Sequence, residues 1–73
     1  MRKTFIEAHL PDINIEFNCT ALYRYKDAGF EAVEDLYVWD YNVEQVLRPN
    51  QALVDRIEAY IDAYILKLGD DAC

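Results

Sequence analysis

Few residues in this chain have types and spacings that could support catalysis. His9 is the only histidine and there is no serine, so no nucleophile and base stand ready to be paired. General acid–base work needs a positioned pair inside a pocket, and a lone histidine near a turn reads as a surface residue. Cys19 falls in an apolar set and is expected to act as a small buried hydrophobe. Asp70 and Asp71 with Cys73 show no recognised ligand spacing and read as a frayed acidic tail, not a metal site. Glu34 and Asp35 are adjacent on an expected strand, where neighbours point to opposite faces, which defeats a paired-carboxylate mechanism unless a bulge intervenes. Gly29 and Gly69 stand alone, so there is no phosphate loop. The expectation is no catalytic residue, no cofactor and no metal.

The informative cluster is Tyr37, Trp39 and Tyr41 with Glu31, Glu34, Asp35 and Asp40. Aromatics interleaved with acids on one strand suit a binding site for a basic protein surface. Trp and Tyr supply anchors, and carboxylates steer the encounter and pair with Arg or Lys. The competing reading places Tyr37, Trp39 and Tyr41 in the core, with Leu36 and Val38 as the exposed pair. A second pair, Tyr60 and Tyr64, lies one helical turn apart. It reads as core rim or as the seam of a homodimer, since small chains often complete their burial by association.

The elements that must hold these residues are legible from periodicity. From Ile13 to Tyr25 apolar residues occupy the odd positions (Ile13, Ile15, Phe17, Cys19, Ala21, Tyr23, Tyr25) and largely polar ones lie between them. This is the period of a long strand with one buried face. Residues 4–10 alternate similarly, which suits a strand, with a short helix as the alternative, and Pro11-Asp12 suits a turn into the long strand. Lys26-Asp27-Ala28-Gly29 suits a four-residue hairpin loop. A third strand is expected over about 30–41. Its alternation is imperfect, and a bulge near Glu34-Asp35 would change which face is buried. Residues 42–47 read as a short helical turn. After Pro49, with Asn50 as N-cap candidate, Leu53, Ile57, Tyr60, Ile61, Tyr64 and Leu68 recur at spacings of three and four. Asp55, Glu58 and Asp62 fall opposite, so a helix is expected over about 51–68, stopping at Gly69. The predicted fold is α+β: a three-stranded antiparallel β-meander with one C-terminal amphipathic helix packed on one face (βββα), a single domain over 1–73. One helix covers one sheet face and leaves the other for water or a partner.

Composition narrows the partners. Seven Lys and Arg against fourteen Asp and Glu give a net charge of −7. Six acids, Asp27, Glu31, Glu34, Asp35, Asp40 and Glu44, lie between Asp27 and Leu47 with no Lys or Arg among them. Such charge repels phosphate and anionic lipid and favours basic protein surfaces, so neither direct nucleic-acid binding nor membrane association is expected. No apolar run approaches the roughly 20 residues that span a bilayer, and two cysteines do not make a disulfide framework, which suggests a reduced cytosolic compartment. At 73 residues about 60% of the unfolded surface can be buried, enough for one modest core but not for most enzyme architectures.

The order of features, a Tyr-x-Tyr strand end (Tyr23, Tyr25), a turn, an acidic aromatic strand (Val33 to Tyr41), Val43-Glu44-Gln45-Val46-Leu47 and a terminal amphipathic helix, resembles that of short acidic proteins encoded in phage and prophage accessory regions. Some of these, the anti-CRISPR proteins and DNA mimics, inhibit host nucleic-acid machines by occupying their basic surfaces. The resemblance implies a non-enzymatic inhibitor of a CRISPR-Cas type defence or DNA-processing complex, acting in the cytoplasm of a bacterial host. The alternative expectation is a self-associating structural or assembly accessory protein.

Overall fold

The computed structural model describes residues 1–68, apart from the side chain of Lys26. Three nine-residue strands, β1 (Arg2–Leu10), β2 (Ile15–Tyr23) and β3 (Ala32–Asp40), pair antiparallel in chain order, and a two-residue β4 (Gln45–Val46) adds to β3. The helix α1 (Gln51–Leu68) follows. The α+β meander with one covering helix is therefore the fold, with a short fourth strand beyond the three expected. The expected frayed tail, with Cys73 and the stop at Gly69, lies outside the described residues.

The odd residues of β2 face the helix. Ile15, Phe17, Cys19 and Ala21 are buried with Ile6 and Leu10 of β1, Val38 of β3, and Ile57, Ile61 and Ile65 of α1. Each such Ile or Phe contributes about 1.5–3 kcal/mol on burial. Ile65 joins this row although it lies outside the set Leu53, Ile57, Tyr60, Ile61, Tyr64 and Leu68 expected from spacing. Burial also raises the Cys19 thiol above its ordinary value, leaving little thiolate to react.

α1 begins as the sequence implies. The Asn50 carbonyl accepts the N–H of Val54, and its side-chain Oδ1 caps the N–H of Leu53 at 2.9 Å. Lys67 lies in the last turn, where it complements the helix dipole.

Two connections differ from expectation. Residues 42–47 form no helical turn. Asp40 Oδ1 instead accepts both the backbone N–H and the side-chain Nδ2 of Asn42, each at 2.8 Å, and Glu44 takes φ 54°. An Asx turn of this kind reverses the chain so that Gln45 and Val46 pair with Asp40 and Trp39. The β2–β3 connection is also wider than a four-residue loop. It contains a 3-10 turn, Lys26–Ala28, and then Gly29 at φ 76°. Asp62 of α1 explains the shape, because its Oδ1 accepts the N–H of Phe30 at 3.1 Å and binds the connection to the helix. Asp62 thus belongs to the packed side of α1 and not to the solvated face assigned to it from spacing.

Candidate functional site

The β2–β3 ladder contains the bulge that determines the site. Thr20 pairs with Glu34 and Asn18 with Tyr37, so Cys19 alone faces two residues, Asp35 and Leu36. Asp35 lies at φ 56°, the left-handed conformation that lets one extra residue enter a strand. The insertion changes the parity of β3. Val33 packs toward the helix before it, whereas Val38 is buried at 2% exposure after it. Tyr37 and Trp39, which flank Val38, therefore face away from the helix. Of the two readings of this strand, the one with Tyr37, Trp39 and Tyr41 in the core does not hold.

The ladder registers give the layout of this outer face. His9, Glu16, Trp39 and Val46 lie in one row across the four strands. Glu7, Asn18 and Tyr37 form the next, and Phe5, Thr20 and Glu34 the one after. Phe5, Tyr37, Tyr41 and Val46 are exposed and Trp39 is half-buried. No described element covers this face.

One end of the face is cross-linked by side chains. The Tyr41 backbone N–H donates to the Asn14 carbonyl at 3.2 Å, and its hydroxyl donates to Glu16 Oε1 at 2.9 Å. The ring meets that of His9 edge-on, with centroids 5.7 Å apart, and His9 Nε2 lies 3.4 Å from Asn14 Oδ1. The Glu16 carboxylate raises the Tyr41 phenol above its ordinary value, and partial desolvation acts in the same direction. His9, Asn14, Glu16 and Tyr41 border a shallow depression here.

The seven residues singled out from sequence are thus divided. Tyr37, Trp39, Tyr41 and Glu34 share the outer face. Asp35 sits in the bulge. Glu31 is in the connection before β3, paired with Arg24 at 3.2 Å. Asp40 has the parity of Val38 and holds the Asn42 turn on the helix side of the sheet. Tyr60 meets Phe17 edge-on at 5.5 Å and Tyr64 packs against the core, so both lie at the rim of the inner layer. The carboxylates that do accompany the aromatics include Glu7 and Glu16, which a reading confined to one strand missed. The polar set of β2 and the alternation of β1 already contained them, had the faces been aligned across strands.

Among the described residues no group of three or more His, Cys, Asp and Glu is placed to hold a metal ion. No described helix is long and apolar enough to cross a membrane. Comparison with protein-family models, curated proteins and solved structures finds no match to this chain.

Proposed function

We propose that the chain is a non-enzymatic protein-binding module whose outer sheet face docks on a basic, nucleic-acid-binding surface of another protein. The supporting observation is the grouping of Phe5, Tyr37, Trp39, Tyr41 and Val46 with Glu7, Glu16 and Glu34 on a face that no described element covers. Aromatic side chains on a rigid sheet lose little entropy on binding and act as anchors. The surrounding carboxylates, in a chain of net charge −7, accelerate encounter with Lys- and Arg-rich surfaces and compete for side chains that would otherwise hold phosphate. Together with the pattern-level resemblance to phage-encoded inhibitors, this favours a role in occluding a host defence or DNA-processing complex in the bacterial cytoplasm.

The test is affinity capture from bacterial lysate at low and high salt, followed by competition with a DNA or RNA oligonucleotide. Stoichiometric capture of a nucleic-acid-binding protein, weakened by salt and displaced by the oligonucleotide, is the expected outcome. A captured protein that the oligonucleotide leaves bound would place the contact elsewhere than on a nucleic-acid surface.

A further inference from the structure

The two edges of the sheet are unlike. On the β3 side, the bulge at Asp35, the adjacent Glu34 and the short β4 interrupt the edge, which are common ways of discouraging strand addition. On the other side β1 runs nine residues, Arg2–Leu10, with no proline and no positive φ, and among the described residues β2 alone pairs with it. Alternate backbone N–H and C=O groups along that edge point away from β2 and are available for a further ladder. Phe5, near the middle of the strand, is 61% exposed.

The charge on β1 is equally distinctive. Arg2 and Lys3 against Glu7 give this strand 2 − 1 = +1 in a chain of −7. It is therefore the least acidic of the three long strands, where the local repulsion between two copies is smallest.

We propose that β1 is a homodimer edge: two copies pair antiparallel through β1 about a two-fold axis at Phe5, forming one eight-stranded sheet. The register follows from elimination. Keeping inner residues opposite inner ones requires that paired residue numbers be of the same parity. A centre at Lys3 or at Glu7 sets like charges face to face, and centres at Thr4 or Ile6 set Lys3 against Phe5 or His9. Only the Phe5 centre sets Lys3 of each copy against Glu7 of the other, twice by symmetry, with the two Phe5 rings adjacent on the outer face. Opposite-charge cross-strand pairs stabilise and like-charge pairs destabilise. The dimer would also join the two outer faces into one continuous surface, with the β3 strands about 24 Å apart at five strand spacings. This inference does not require the partner proposed above, because it concerns the edge and not the face.

Charge reversal tests it with folding as its own control, since Lys3 and Glu7 are exposed. The dimerisation constants of Lys3→Glu, Glu7→Lys, the double swap and the natural chain would be measured by sedimentation equilibrium, with circular dichroism confirming the fold. Each single variant should dimerise at least about tenfold more weakly, because two attractive pairs become repulsive. The double swap should recover the natural affinity. An equimolar mixture of the two single variants should form heterodimers, since each then offers the charge the other lacks. A natural chain that stays monomeric at millimolar concentration, or single variants that dimerise as it does, would overturn the proposal.

Discussion

The hydroxyl of Tyr41 donates to Glu16 across the end of the sheet at 2.9 Å, holding an aromatic ring of the outer face in place. Preorganisation of this kind lowers the entropy lost on binding. It also has a pH signature. The Tyr41 phenol is raised, first by the hydrogen bond to Glu16, so the folded state favours the protonated form. Stability from this pair is complete below the ordinary tyrosine value of about 10 and is lost as pH rises through the higher folded value. Thermal unfolding of the natural chain should therefore fall toward that of Tyr41→Phe in strong base, and the two should differ near neutrality. Parallel curves throughout would show that the bond contributes nothing.

The opposite sign holds at the other end of the pH scale. Arg56 Nη2 donates to Asp12 Oδ1 at 2.6 Å, and this bond holds the Asp12 carboxyl below its ordinary value. The contribution is present above about pH 4 and is lost as pH falls through the depressed folded value. Both side chains are solvent-exposed, so the effect should be small and should weaken in high salt. Asp12→Asn should therefore be slightly less stable than the natural chain near neutrality, and the two unfolding profiles should converge in acid, where the natural chain has lost the bond; an equal difference at every pH would contradict this.

Gly29 lies directly beneath the Asp62 carboxylate, where an added Cβ would overlap Oδ1, and its φ of 76° disfavours any L side chain. Gly29→Ala should cost about 1–3 kcal/mol. Asp62→Ala should cost about 1–2 kcal/mol by removing the acceptor for the Phe30 N–H. Chemical denaturation of both variants checks this. Equal stability to the natural chain would mean that the connection is not bound to the helix.

Asp35 offers a test of the bulge. A β-branched residue is poorly tolerated at positive φ, so Asp35→Val should destabilise by about 1–2 kcal/mol, whereas Asp35→Gly should be neutral or slightly stabilising. The ordering Gly ≥ Asp > Val in denaturation midpoints is the expected result. A more stable Val variant would indicate a regular, unbulged β3.

Most of the fold was legible because the apolar periods are clear. The odd set of β2 and the spacing of Leu53, Ile57, Ile61 and Tyr64 each identify one buried face. Two local features were not. The Asn42 turn depends on an Asx hydrogen bond that short-range helix propensity does not reveal, and the β2–β3 connection takes its form from Asp62, more than 30 residues away. The bulge was suggested near Glu34-Asp35 by the broken alternation, but the face it selects depends on Asp35 adopting the left-handed region. The site was legible only along one strand. Glu7, His9 and Glu16 join Tyr37, Trp39 and Tyr41 through strand pairing, whereas Asp40, two positions from Val38, shares its helix-facing side.

The most direct test of the proposed docking face compares Trp39→Ala with Leu66→Ala, an exposed apolar position on α1, for dissociation from a partner protein captured as proposed above. Trp39→Ala should keep its fold and raise the dissociation rate at least about thirtyfold, the equivalent of about 2 kcal/mol, while Leu66→Ala should change little. Equal dissociation rates for Trp39→Ala and the natural chain, or a larger effect at Leu66, would contradict it.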